Sequence, residues 1–418
     1  MEYQVAVIGG GPAGIIAAGR AGELGARVVL IEKNDSLGKK LLITGKGRCN
    51  ITQARFEGSE LADKYGKEGR FLLHALSVFG PKKVIEFFGK FKLKTKVERG
   101  GRVFPESDSS GDVLRVLIKY LTKAGVKVMG GKVVNRIEKK GNKIVRVTLE
   151  DGEKISADKF IIATGGKAYP GLGSSGDGFK WALDLGHTVS EPKPVLVPIK
   201  VKEKWPETLQ GLSLKNVSLD VLCDGKKKES RFGEFLFAHF GITGPIVLDI
   251  SKRVGELLSK KGEVKILLDL KPALDIDTLD KRIQRDFEKF SNKQFKNSLG
   301  DLLPRKLIEV IINLSKIDGE KTVNKITKEE RQRLVKLLKG IELTPVSLLG
   351  FDRAIVTSGG VPLKEIDAKT MRSKIISNLY FAGEIIDLDG PTGGYNLQIC
   401  WSSGYLAGES VAEELKEK

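Results

Sequence analysis

Cysteine is scarce in this chain, which has Cys49, Cys223 and Cys400 as its only three cysteines among 418 residues. They lie far apart and lack the short spacings of zinc ligands, so we predict neither a disulfide framework nor a metal site. We find no uncharged apolar run of 18 residues, which argues against a membrane-spanning helix. An apolar strand begins at Val5, so we expect no leader peptide and a cytoplasmic location.

Acidic residues are also under-represented, with 53 Asp and Glu against 71 Lys and Arg and a net charge of +18. A field of this sign steers and holds polyanionic partners, although a solvated lysine-rich surface explains the charge equally well. The densest basic segment runs from Lys82 to Arg102, with eight basic residues against two acidic ones. Its phenylalanines Phe87, Phe88 and Phe91 have helical spacing, which favours a place in the core over base stacking.

Glycine is abundant, and the first fifty residues use it in a nucleotide-binding pattern. The apolar run from Val5 ends in Gly9-x-Gly11-x-x-Gly14, and an Ala-rich helical segment follows. Gly9 permits a tight turn, Gly11 lets a pyrophosphate approach the backbone, and Gly14 lets the helix pack on the strand. After a second apolar run comes Glu32, 18 residues beyond Gly14, where a carboxylate can accept from ribose hydroxyls. This is a complete βαβ unit for a dinucleotide.

Periodicity predicts further elements along the chain. Residues 71–91 are helical with a break at Gly80-Pro81, and 110–124 form an amphipathic helix. Val126 to Met129 is predicted as a buried strand. Gly141-Asn142 marks a β-hairpin, and an apolar strand from Lys154 to Ala163 follows.

Composition divides the chain into four segments. Residues 1–190 form the first part of a cofactor-binding domain, and 191–272 read as an inserted β-rich domain with short alternating strands. Residues 273–344 are charged and helical in period, and 345–418 are predicted to rejoin the first domain. In that last segment, Gly393-Gly394 precedes a helix from about Leu397 to Glu414, which predicts a second site where helix N–H groups face a ligand.

Five ordered motifs resemble the BaiN/RdsA-like NAD(P)/FAD-dependent oxidoreductases across practically the whole chain. They are Gly38–Asn50, Gly101–Pro105, Ala163–Pro170, Phe237–Pro245 and Gly390–Asn396. One departure is Lys46, where the family loop usually carries another glycine. The resemblance implies an α/β fold in which a two-part Rossmann-like domain binds FAD around an inserted β-barrel-like and helical domain. No second complete glycine fingerprint is present, so NAD(P)H is implied to act as a transient reductant.

The resemblance also implies a set of cofactor-binding residues. The glycine fingerprint and Glu32 are expected at the pyrophosphate and adenosine ribose, and the segment before the last helix at the flavin ring. Arg48 and Asn50 either neutralise and hydrogen-bond the cofactor or stabilise their own loop. The full set is Gly9, Gly11, Pro12, Ala13, Gly14, Glu32, Lys33, Lys40, Arg48, Asn50, Val134, Thr164, Gly165, Gly383, Glu384, Gly394, Tyr395, Asn396 and Leu397.

Reduction of a double bond by such an enzyme requires hydride from the flavin and a proton from a side chain. Cys49 is one candidate donor, with buried packing as its alternative. His239 is another, and it could also bind substrate or be structural. His74 and His187 are expected to be structural, and Cys400 and Trp401 to pack.

The family includes a ribosomal RNA dihydrouridine synthase and members linked to unsaturated steroid-type substrates. The charge and the Lys82 to Arg102 segment favour uridine in ribosomal RNA as the substrate. A hydrophobic small molecule is the enzymatic alternative. A flavin-bound protein whose main role is RNA binding or assembly is the alternative from another class.

Overall fold

The computed structural model describes residues 3–260 and 262–417. They fall into two compact units, the first formed by Met1–Pro194 with Phe351–Lys418 and the second by Val195–Gly350. The second unit is thus inserted into the sequence of the first.

Strands of the described residues are numbered β1 to β20 in chain order. They are Val5–Ile8, Val28–Ile31, Thr52–Gln53, Thr95–Glu98, Arg102–Pro105, Lys127–Met129, Val134–Lys140, Lys143–Leu149, Lys154–Ile155, Lys159–Ile162, Ser190–Val195, Ile199–Val201, Ser213–Cys223, Lys226–Ala238, Gly241–Thr243, Val264–Asp269, Ile341–Leu343, Pro345–Leu348, Val356–Gly360 and Leu379–Phe381. The α-helices, α1 to α13, are Pro12–Glu23, Lys39–Ile43, Gly58–Ala62, Leu73–Phe79, Pro81–Lys90, Ser110–Lys123, Asp177–Leu185, Trp205–Thr208, Pro245–Ser259, Ile276–Lys289, Arg305–Ser315, Lys328–Lys339 and Tyr395–Lys416.

A parallel sheet with the order β20-β10-β1-β2-β6 organises the first unit. Its central strands are continuous apolar runs because helices and loops cover both faces. Helices α1 and α13 pack so closely that a methyl group at Gly404 or Gly408 would collide with the carbonyl oxygens of Ala13 or Ala17. This packing fixes the start of α1 at the carboxyl edge of the sheet, where ligands bind in such folds.

Most predicted elements of the first unit are confirmed. The helical break at Gly80-Pro81 separates α4 from α5, and the hairpin at Gly141-Asn142 joins β7 to β8. The strand predicted at Val126 to Met129 is present, but the prediction that it is buried is wrong. Lys127 and Val128 are exposed because β6 is the edge strand of the parallel sheet. The predicted strand at Lys154 to Ala163 is two strands, since β9 pairs with β8 whereas β10 joins the parallel sheet.

The second unit has its own core beneath a sheet with the order β17-β16-β13-β14-β15-β12-β18. Its sequence predicted short strands, but β13 and β14 have 11 and 13 residues. Pro345–Leu348, which was predicted to belong to the cofactor-binding segment, pairs with Ile199–Val201 in this sheet. No pairing among the described strands joins edge β17 to edge β18, so the sheet is antiparallel without a closed barrel ladder. Helices α10 to α12 confirm the helical segment.

No helix in the described part of the chain is both long enough and apolar enough to cross a bilayer.

Candidate functional site

The carboxyl end of β1 and the start of α1 form a backbone cradle. Gly9 has a φ of 108°, and a side chain there would lie 2.5 Å from the Ala163 carbonyl oxygen. A methyl group at Gly14 would collide with the Gly9 carbonyl oxygen. Gly11, immediately before α1, faces open space within 4 Å, and no side chain caps the helix. Pro12 starts the helix without an N–H to satisfy. The remaining N–H groups of the first turn suit an anionic ligand.

Glu32 is held beside this cradle and is only 8% exposed. Its Oε2 accepts a hydrogen bond from the Gly10 N–H at 2.6 Å. Its Oε1 accepts from the main-chain N–H and the side-chain amide of Asn34 at 2.8 and 2.7 Å. A carboxylate oxygen has a second lone pair, so the fixed Glu32 can still accept from a ribose hydroxyl.

A cleft opens beside Glu32. It brings together five of the predicted cofactor residues, which are Gly9, Glu32, Lys33, Val134 and Thr164. Lys33 forms an ion pair with Asp177 at 2.7 Å across the cleft lining. The fixed acid, the cradle and the apolar Val134 therefore offer the contacts that an adenosine diphosphate half requires.

Several polar atoms near these segments lack partners. Asn50 Oδ1, Gln53 Oε1 and Thr164 Oγ1 are buried and have no hydrogen-bond partner among the described residues. Such atoms are normally satisfied by a ligand or an ordered water. Gly165 and Gly383, which follow β10 and β20, have φ values of 74° and 79° and bring backbone close to the same edge of the sheet. The residues present therefore fit a flavin dinucleotide.

The start of α13 is a second helix terminus that follows a glycine turn at a predicted cofactor segment. Gly394 has a φ of 98°, and a side chain there would lie 2.6 Å from the Thr52 carbonyl oxygen. No side chain caps this 22-residue helix, which begins with the buried Tyr395. Leu397 is half-buried in the first turn. The N–H groups at this terminus are oriented to stabilise negative charge beside them.

Asn396 has a local structural role. Its side-chain amide donates to the Gly390 carbonyl at 2.8 Å, and its Oδ1 accepts from the Gly390 N–H at 2.9 Å. These bonds hold the turn that leads into α13. A direct contact between the Asn396 side chain and a cofactor stays a prediction.

Sequence reasoning missed Thr357 in β19, which joins three predicted cofactor segments. Its main-chain N–H donates to Glu384 Oε1 at 2.8 Å, and Glu384 Oε2 pairs with Lys40 at 2.8 Å. Its Oγ1 accepts from the main-chain N–H groups of Lys167 and Ala168 at 2.7 and 3.0 Å. A hydroxyl in an apolar strand before Ser358-Gly-Gly360 was the available signal in the sequence.

Arg48 is engaged by protein carboxylates. Its guanidinium pairs with Glu98 and Asp108, and it stacks over Phe104 at 4.1 Å from the ring centre. The hydrogen bond from Arg48 holds the pKa of Glu98 below its usual range. Because two carboxylates already match its charge, the geometry favours the loop-stabilising role over neutralisation of the cofactor.

Cys49 is buried in the core with none of its surface exposed. Burial raises the pKa of its thiol to about 12. The packing alternative is therefore favoured over proton donation to a substrate. Trp401 also packs, since it is fully buried and its Nε1 donates to the Ile51 carbonyl at 2.8 Å. Cys400, which is half-buried, has its pKa raised to about 12 by burial.

The three histidines have different surroundings. His187 is buried between Glu365 and Ser373, with ring nitrogens 2.9 and 2.8 Å from their oxygens, and this fits its predicted structural role. His74 is exposed on α4. His239 is exposed in the turn between β14 and β15 of the second unit, so its chemical role stays a prediction.

The basic segment combines a packed inner face with exposed cations. Phe88 is 1% exposed, and the Phe87 ring packs against Phe88 and Tyr120, which confirms the prediction of a core role. Lys82, Lys83, Lys90, Lys92, Lys94 and Arg99 are exposed.

The whole chain is similar to known oxidoreductases. Residues 3–410 match the family model described as HI0933-like protein Rossmann domain. A 3-dehydro-bile acid delta(4,6)-reductase of Clostridium scindens is 33% identical over 98% of this chain and 99% of that protein. A ribosomal RNA dihydrouridine synthase of Haemophilus influenzae is 31% identical over 98% of each. A flavocytochrome c3 fumarate reductase structure, 16% identical, shares the fold with a TM-score of 0.53 over 98% of this chain and 78% of that one.

The family match, the paired parallel strands and the glycine cradle at the start of α1 agree with one another. The chain belongs to the HI0933-like family of Rossmann-fold flavoprotein oxidoreductases.

Proposed function

We propose that this protein is an FAD-dependent reductase that uses NAD(P)H to saturate an activated carbon–carbon double bond. Its favoured substrate is uridine in ribosomal RNA, which becomes dihydrouridine. Two relatives that are 31% and 30% identical over 98% of this chain carry the name ribosomal RNA dihydrouridine synthase. The net charge of +18 supports a polyanionic substrate.

One observation favours RNA in particular, namely the continuity between the basic segment and the start of α13. Strand β3 pairs with β5, so that Gln53 lies opposite Arg102. Gln53 Nε2 donates to the Gly100 carbonyl at 3.0 Å, and a methyl group at Gly393 would lie 3.0 Å from the same nitrogen. The turn between β4 and β5 is therefore linked through the buried Gln53 to Gly393, beside the helix start that is proposed to face the flavin ring.

Each part of the site is proposed to bind a different part of the cofactor. The α1 cradle would hold the diphosphate, Glu32 the ribose, and the α13 start the ring edge. When bound, FAD supplies hydride transfer to one carbon of the double bond. The exposed His239 remains the proposed proton donor, since Cys49 is buried. A target uridine would have to lie in single-stranded or opened RNA, because its ring must leave the base stack to reach the site.

A second candidate is reduction of a hydrophobic small molecule. It is favoured by the relative named 3-dehydro-bile acid delta(4,6)-reductase, which is 33% identical over nearly the full length of both chains. The same site would then accept an enone in place of a base.

Reductant oxidation by the purified, FAD-loaded protein separates these candidates. We expect protein-free large-subunit ribosomal RNA to accelerate NADH or NADPH oxidation and to gain dihydrouridine. Acceleration by a steroid-type enone with no response to RNA would favour the second candidate. RNA binding that survives loss of FAD, without any turnover, would favour the assembly role instead.

A further inference from the structure

A salt bridge joins two segments of the proposed cofactor site that are 344 residues apart in sequence. Lys40 Nζ, in α2, lies 2.8 Å from Glu384 Oε2, in the turn that follows β20. The two side chains are only 21% and 16% exposed, so salt screens this pair less than a pair on the open surface. The other oxygen of Glu384 accepts the Thr357 N–H at 2.8 Å. The pair therefore has an anchored carboxylate and a flexible lysine side chain.

The lysine end of this pair is tied to the cradle at the start of α1. Gly38 immediately precedes α2, and its N–H donates to the Gly10 carbonyl at 2.9 Å. Lys40 follows two residues later, and two residues of chain span at most about 7 Å. The backbone of Lys40 is therefore held beside the segment whose N–H groups are proposed to bind the diphosphate.

The carboxylate end of the pair lies between α1 and α13. A side chain added at Gly383 would lie 2.7 Å from the Ala13 Cβ, in the first turn of α1, and 3.6 Å from the Cys400 Sγ, in α13. The Gly383 N–H also donates to Ser403 Oγ at 2.9 Å. Glu384, the next residue, is thus held between the helix that begins at the proposed diphosphate site and the helix that begins at the proposed ring site.

These contacts place the salt bridge at the middle of the proposed FAD site. A cofactor with its diphosphate at the α1 cradle and its ring at the start of α13 would have its ribityl chain between the two helices. Because Glu384 matches the charge of Lys40, the pair as a whole adds no positive charge that would attract the diphosphate. This charge balance favours a mechanical role for the pair over neutralisation of the cofactor.

We propose that the Lys40–Glu384 salt bridge is a clasp that closes over bound FAD and slows its release. The lysine side chain moves away when the cofactor enters, and the fixed carboxylate of Glu384 receives it again afterwards. The inference rests on the proposed function for the identity of the cofactor, and it adds to that function the contact that retains FAD. It is independent of which double bond is reduced.

The rates of FAD entry and release test the clasp. Release is measured by displacing FAD from loaded protein with an excess of a spectrally distinct flavin analogue, and entry by mixing apoprotein with FAD. Lys40→Met keeps the apolar stem of the lysine, and Glu384→Gln keeps an acceptor for the Thr357 N–H. We expect each variant to release FAD about tenfold faster, because loss of one partner of a partly buried charge pair acts on the dissociation rate. Entry should also be faster in both.

A double variant and a matched control complete the experiment. Protein with both Lys40→Met and Glu384→Gln should release FAD no faster than either single variant, since both changes remove the same contact. Lys321→Met is the control, because Lys321 pairs with Glu330 in the second unit at 2.8 Å with side chains 26% and 18% exposed. This control should release FAD at the wild-type rate. Thermal unfolding of the apoproteins shows that the variants fold.

The outcomes distinguish the clasp from the proposed function. Faster release in Lys40→Met with slower release in Glu384→Gln would show that Lys40 neutralises the diphosphate, and it would overturn the clasp. Release at the wild-type rate in both single variants would also overturn it. Wild-type protein that binds no FAD would overturn the clasp and the proposed function together. Wild-type protein that shows the expected FAD rates but reduces neither RNA nor an enone would support the clasp and overturn the proposed reaction alone.

Discussion

A methyl group at Gly11 should separate cofactor binding from folding. Gly11 has φ and ψ of −81° and −178°, an extended conformation that alanine adopts without strain, and no atom lies within 4 Å of the new carbon. Apoprotein carrying Gly11→Ala should therefore unfold within about 1 kcal/mol of wild type. The methyl group would occupy the space expected for the diphosphate, and overpacking costs about 1–3 kcal/mol. The FAD dissociation constant should rise about 5- to 150-fold.

Gly14→Ala is the matched comparison for this experiment. Its methyl group would collide with the Gly9 carbonyl oxygen, so the apoprotein itself should be destabilised. Urea unfolding of apoprotein and calorimetric titration with FAD measure the two effects separately. If Gly11→Ala binds FAD as tightly as wild type, the α1 cradle does not hold the diphosphate.

Three further predictions concern the first unit. Thr357→Val should lower the free energy of unfolding by about 1–3 kcal/mol, because the N–H of the buried Ala168 loses its acceptor, and it should also weaken FAD binding. Thr357→Ser keeps the hydroxyl, so urea unfolding and FAD titration should both give values close to wild type. Lys46 has a φ of 59°, so Lys46→Gly should relieve backbone strain and stabilise the protein by about 1 kcal/mol in the same unfolding assay. An unchanged urea midpoint would contradict a strained loop. Burial lowers the pKa of His187, so the unfolded chain binds its proton more readily and stability should decline as the pH falls below about 6.5. His187→Asn should show a smaller decline in thermal unfolding midpoints between pH 7 and 5, and an equal decline would exclude His187 as the cause.

Local patterns predicted the cofactor half of the fold well. The glycine spacing after Val5–Ile8 requires a strand, a tight turn and a helix, and these are present with β1 and β2 paired in parallel. The Gly141-Asn142 hairpin follows from turn chemistry alone. Such features depend on residues that are close in sequence, so the sequence contains their cause.

The features that the sequence did not determine depend on distant partners. Val128 is apolar, yet it is exposed because none of the described strands pairs with β6 on its outer side. For Arg48 the sequence left open a role at the cofactor and a role in its own loop, and it could not reveal the pairing with Glu98 and Asp108, 50 and 60 residues away. Pro345–Leu348 belongs to the inserted sheet because of its pairing with β12. Periodicity carries no information about any of these partners.

Nucleoside mass spectrometry of large-subunit ribosomal RNA tests the central claim most directly. RNA from a strain that lacks this gene would be incubated with purified, FAD-loaded protein and NADH or NADPH. We predict that wild-type protein adds dihydrouridine and that Gly11→Ala adds much less under the same conditions. RNA that contains no dihydrouridine after incubation with active, flavin-reduced wild-type protein would contradict the claim that ribosomal RNA is the substrate.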